Sequence, residues 1–130
     1  MMEFVEVISH DFQVSAISRF IPERSNKEVS IYFFAYWITI KNQGVSPAQL
    51  LNRYWHIMDA DGRVNEVKGE GVVGEQPLIY PGQSFEYNSF CPLPTKFGFM
   101  KGYYEMQGKD KNTFQVEIPQ FHLATPQSAN

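Results

Sequence analysis

The run from Val29 to Lys41 constrains this chain more than any other segment, because its large residues recur with a period of two. One parity carries Tyr32, Phe34, Tyr36, Ile38 and Ile40; the other carries Ile31, Phe33, Ala35, Trp37 and Thr39. A helix would repeat near 3.6, whereas a strand sends successive side chains to opposite faces. The run therefore reads as a long strand, ended by Asn42-Gln43-Gly44. A strand in a two-layer sandwich has one core face. The first set is apolar or aromatic throughout and is placed inward. Phe33 and Trp37 then point outward, where such rings are unusual unless something covers them. Either the chain's own N-terminal strand does so, or Phe33 and Trp37 belong to a partner-binding surface.

The rest of the chain has the same grain. Phe12 to Phe20 alternates, and Pro22 to Glu28 reads as a polar loop. Gln49 to Met58 is a second long strand, closed by Asp59-Ala60-Asp61-Gly62 and returning through Arg63 to Lys68. An Asp-Gly pair between alternating segments signals a hairpin, since glycine takes positive φ without a Cβ clash. Gly69 to Gly74 is a glycine-rich loop, Pro81-Gly82 a turn, and Phe85 to Phe90 a short strand. Lys101 to Met106 and Thr113 to Ile118 flank a further turn, and Pro119 ends pairing or sits at an edge because it has no N–H to donate. Short strands with turns about every ten residues, and no helical segment, predict an all-β sandwich of about seven or eight antiparallel strands.

A chain of 130 residues suits one domain, and eleven Phe, seven Tyr and two Trp supply a ring-rich core that favours strands. Residues 10–124 form the expected domain, with 1–9 and 125–130 as flexible ends. The formal charge of −3 offers no basic field for phosphate backbones, so nucleic-acid binding is not expected. The single cysteine, Cys91, cannot pair within the chain, which fits a reducing, cytoplasmic setting. The N-terminus has no signal-like apolar core, and no run approaches eighteen apolar residues, so no membrane association is expected.

Several blocks together resemble the ApaG family. They are Tyr32-Phe33-Phe34-Ala35-Tyr36 running into Ile40-Lys41-Asn42, then Gln49-Leu50-Leu51-Asn52-Arg53-Tyr54-Trp55. Glu66 to Pro77, Pro81-Gly82, Phe85-Glu86-Tyr87, Met100 to Tyr104 and Val116 to Phe121 complete the match. The resemblance covers residues 10 to 124 and implies an immunoglobulin-like or fibronectin-type-III-like sandwich. It further implies a small stand-alone bacterial protein linked by name to cobalt and magnesium efflux, with protein binding as the role of eukaryotic relatives. Phe90, where a glycine commonly follows the serine, and Lys96-Phe97, within a Thr-Pro-x-Gly turn, depart from the family pattern.

Gly69, Gly71 and Gly74 spell GxGxxG, but a dinucleotide fingerprint needs a helix after the turn, and Pro77 follows instead. A glycine loop can still aim backbone N–H groups at an anion. Arg53, on the parity of Leu51, Trp55 and Ile57, points to the core side and must find a partner. Glu66 or Glu70 is one choice; a phosphate, pyrophosphate or nucleotide held by Arg53 with Gly69, Gly71 and Gly74 is the other. His10, His56 and His122 lack ligand spacing, and Asp59-x-Asp61-Gly62 lacks the glutamate of a calcium loop, so no metal site or cofactor is expected. Cys91 lies between Phe90 and Pro92 without a basic neighbour to favour thiolate. The expectation is a binding module without catalysis, taking an unknown protein partner or a small anion, with homodimerisation open. A chain with no membrane span could affect metal efflux only indirectly.

Overall fold

The computed structural model describes residues 3–126. Among them nine strands follow one another: β1 Glu3–Ser9, β2 Phe12–Phe20, β3 Tyr32–Asn42, β4 Ala48–Asp59 and β5 Val64–Glu70. The short β6 Leu78–Ile79 leads to β7 Ser84–Leu93, β8 Phe97–Gly108 and β9 Thr113–Ala124. One sheet has the order β1-β2-β3-β7 and the other β5-β4-β8-β9, with β6 paired to β4. Every pairing is antiparallel. The predicted all-β sandwich is the fold.

The long alternating run behaves as its pattern requires. Phe34, Tyr36, Ile38 and Ile40 are buried, and Trp37 is 38% exposed. They meet Leu50 and Trp55 of β4, Met100 and Tyr104 of β8, and Val116, Phe121 and Leu123 of β9. Tyr36, Trp55 and Phe121 cluster at the centre, with centroids 5.4, 5.8 and 5.9 Å apart. Tilted and edge-on rings at such distances add about 0.5–1.5 kcal/mol per pair beyond the burial of their area.

Several boundaries differ from the sequence reading, with β7, β8 and β9 each longer than read, at Ser84–Leu93, Phe97–Gly108 and Thr113–Ala124. Strand β3 begins at Tyr32, not Val29, because Asn26 caps a 3-10 turn over Lys27–Val29 and Ser30 takes φ 55°. The segment 1–9, expected to be a flexible end, holds β1, paired along its length to β2; residues 1 and 2 lie outside the described residues. Thr125, assigned to the tail, is buried and its N–H donates to the Lys96 carbonyl, while residues 127–130 lie outside the described residues. Pro119 does not end pairing but sits, as the other alternative had it, in an edge strand: β9 runs on past it, and the register jumps from Gly102–Ile118 to Met100–Phe121. Pro119 and Gln120 thus oppose Lys101 alone, and a bulge accommodates a residue with no N–H.

A second bulge positions the candidate site. Leu50 pairs with Met106 and Asn52 with Glu105, leaving Leu51 over. The extra residue reverses parity along β4, so that Leu50 before it and Arg53, Trp55, Ile57 and Asp59 after it share the inner face.

Candidate functional site

The two long sides of the sandwich are unlike. On one, β9 packs on β1 and β2, the Glu117 N–H donates to Ser9 Oγ at 2.8 Å and Ser18 Oγ–H donates to the His122 carbonyl at 2.6 Å. On the other, β7 and β5 are both edge strands, and a cleft of about 500 Å³ lies between them. Its floor is the inner row of β4: Arg53, Trp55, Ile57 and Asp59. Ser89, Cys91 and Leu93 of β7 face this row, and Val67 of β5 closes the rim.

Arg53 sits at one end. Its Nη1 donates to the carbonyls of Glu70 and Gly71, both at 3.0 Å. The guanidinium lies across Gly69, where a Cβ would stand 2.7 Å from Nη1 and 2.8 Å from both Cζ and Nη2. Gly69, paired with Arg53 across the sheet, therefore lets the cation lie over the edge strand. The carboxylate partners expected for Arg53 are not used. Glu66 instead accepts from the Tyr54 hydroxyl on the outer face at 2.6 Å, and among the described residues no carboxylate lies within ion-pair distance of Arg53. Partly exposed and with its Nη2 edge uncommitted to protein carbonyls, the guanidinium is the cation of the cleft that has no carboxylate partner among the described residues, whereas Arg63 pairs with Asp61.

The structure brings Arg53 to Gly69 and Gly71 but gives the loop a different hydrogen-bonding pattern from an anion cradle. Gly69 belongs to β5, so the loop proper starts at Gly71. The Gly71 N–H donates to the Leu51 carbonyl, and Val72 and Glu75 bond reciprocally, each N–H to the other's carbonyl. Gly71 takes φ 65°, and a Cβ there would come 2.3 Å from the Glu75 carbonyl oxygen. That close approach explains the glycine without a ligand. Gly74, with φ 82°, is exposed at the loop tip.

Near Arg53 lies a set of hydroxyls of which the sequence reading had placed only Tyr36 inward. Tyr87 and Tyr104 share a short hydrogen bond between their hydroxyls, and Tyr36 stands opposite Ser89 across β3 and β7. Burial raises all three tyrosines above the ordinary phenol range, although Arg53 pulls each back. Burial likewise pushes the Cys91 thiol up to about 12, which makes it inert at neutral pH. The far end of the cleft is locally settled. Asp59 Oδ1 accepts from the N–H groups of Asp61 and Arg63, and Arg63 pairs with Asp61 at 3.4 Å.

The second candidate surface is the outer face of the β1-β2-β3-β7 sheet. Phe33 and Trp37 do point outward, but β1 does not cover them. It pairs edge-on with β2 and adds Phe4 to the same face, in the cross-strand row Phe4–Ile17–Trp37–Asn88. Phe4 is 61% exposed and Phe90 46%. Phe33 is half-buried because Arg24, from the 3-10 turn Pro22–Arg24, lies 4.3 Å from its ring centroid and 5.2 Å from that of Phe90. The alternation of Phe4, Glu6 and Ile8 against Val5 and Val7 was the overlooked signal for β1. Phe90, one of the departures from the family pattern, is an exposed ring of this face within strand β7.

Two antiparallel sheets around a ring-lined core, with an open side and an aromatic outer face, define an immunoglobulin-like β-sandwich. The ApaG domain profile matches residues 22–108. The Protein ApaG of Bdellovibrio bacteriovorus is 50% identical over 116 residues, covering 89% of this chain and 91% of that protein. The Protein ApaG of Dechloromonas aromatica is 51% identical over the same shares. A crystal structure of an ApaA protein from Bordetella pertussis superposes with a TM-score of 0.87 at 48% identity, covering 90% of this chain and 95% of that one. The chain belongs to the ApaG domain family. No helix among the described residues is long and apolar enough to cross a membrane.

Proposed function

We propose that the protein is a non-enzymatic, cytoplasmic binding module whose outer β1-β2-β3-β7 face docks a partner protein. The observation that carries this reading is the exposed row Phe4–Ile17–Trp37, continued by Phe90 and flanked by the guanidinium groups of Arg19 and Arg24. Contiguous rings of this kind are uncommon on a surface that meets only water. Aromatic anchors beside arginine are also the residues that dominate binding energy at interfaces. Charge sets the partner's chemistry: apolar side chains to cover Trp37 and Phe4, with carboxylates placed for Arg19 and Arg24. Any influence on cobalt or magnesium efflux would pass through that partner.

A photo-crosslinking amino acid at position 37 tests this in cells, with position 56 on the opposite sheet as the control. The expected result is one protein captured from position 37 and not from 56, with capture falling at least about tenfold in Arg19→Glu/Arg24→Glu. Equal capture from both positions, or capture indifferent to the charge reversal, overturns the reading.

A further inference from the structure

We infer that the cleft between β5 and β7 is a binding site for an amphipathic monocarboxylate, its carboxylate on Arg53 and its apolar chain along Trp55, Ile57, Val67 and Cys91. This site is separate from the outer face and stands whether or not a protein docks there.

Three features of the cleft select that ligand. The first is the uncompensated cation. Arg53 is anchored through Nη1 to two backbone carbonyls, and no described carboxylate answers it. A planar carboxylate fits the remaining edge of a guanidinium, forming charge-assisted hydrogen bonds. The second is the sign of the other end. Asp59 and Arg63 line that end, and with Arg63 paired to Asp61 the Asp59 carboxylate leaves it net negative, so an anion is drawn to Arg53 instead. A single negative charge balances Arg53, whereas a pyrophosphate would bring charge that nothing in the cleft offsets. The third is the wall between the ends. Buried Trp55, Ile57 and Cys91 form an apolar base, and Val67 with the exposed Val64 and Phe90 forms the apolar rim, in a volume within the range of small-molecule sites. The hydroxyls of Tyr36 and Ser89, which line the cleft with Arg53, can complete the carboxylate's hydrogen bonding.

Gly69 is a positioning residue for this site. A methyl there would collide with the guanidinium, which is the movable end of a flexible side chain and would be displaced.

Calorimetric titration with sodium octanoate provides the test, with octanol, acetate and inorganic pyrophosphate as comparison probes. Octanoate should bind saturably and at least about tenfold tighter than octanol, which lacks the charge, or acetate, which lacks the chain. Arg53→Gln and Gly69→Ala should each weaken octanoate by about tenfold or more, while Lys101→Gln on the outer sheet face changes nothing. Should Arg53→Gln fail to fold, Ser89→Trp keeps the cation and fills the cleft, and it must abolish octanoate binding with an unchanged circular dichroism spectrum. Octanol binding as tightly as octanoate, octanoate binding unaffected by these cleft variants, absence of saturable binding, or preference for pyrophosphate would each overturn the inference.

Discussion

The side of the sandwich that carries β9 and the side that carries β5 belong to the same two sheets and are closed differently. Along β9 the sheets are stitched by Ser9 and Ser18 hydroxyls to opposite-sheet backbone, and Phe121 and Leu123 are fully buried. Along β5 every residue except Val67 and Gly69 is exposed, and Arg53 occupies the place a core residue would take. A half-buried cation without a carboxylate partner is a poor source of stability, because desolvation offsets its gain. The difference teaches that the closed side holds the fold together and the open side is available for recognition.

The largest effect should come from the closed side. Phe121→Ala removes a ring that touches both Tyr36 and Trp55, and is expected to cost about 3–5 kcal/mol in urea unfolding. An equal loss from Val67→Ala, on the open edge strand, would erase the distinction. Next comes alkaline pH, which acts on the hydroxyls and thiol near Arg53. Tyr36, Tyr87, Tyr104 and Cys91 all titrate higher in the fold than unfolded, first of all because burial disfavours their charged forms. The folded state therefore holds more protons above about pH 9, and stability must fall as pH rises from there. Below the unfolded values it is fully present. The loss is expected to be on the order of a few kcal/mol by pH 12, with a shallower fall in Cys91→Ala; urea midpoints across pH 8 to 12 measure it.

Smaller effects separate stitching from recognition. Ser18→Ala deletes a buried donor to the His122 carbonyl and should cost about 1 kcal/mol. Gly69→Ala should change stability by less, about 0.5 kcal/mol, because only a mobile side-chain end must shift. Its effect belongs to ligand binding. A Gly69→Ala variant as damaging to stability as Ser18→Ala would place Arg53 in the structural framework instead.

The period of two was enough to read the sandwich, the inner face of β3 and the outward Phe33 and Trp37. It was not enough for the site, because bulges break the parity on which such reading depends. Leu51 shares alternation with Arg53 in the sequence, yet the extra residue there gives the inner face to Leu50 instead. The partner of Arg53 was equally hidden: the sequence shows the carboxylates of Glu66 and Glu70, but not that the carbonyls of Glu70 and Gly71 lie in reach. Strand β1 was missed for a different reason, since end position was weighed above the alternation of Val5 and Val7.

Amide spectra recorded during an octanoate titration address the division of labour between the two sides directly. Shifts confined to residues 53–59, 64–69 and 89–93, with β1, β2 and β9 unmoved, are the predicted result. Shifts centred on β9 or on the loop from Gly71 to Glu75, or none at all, would contradict it.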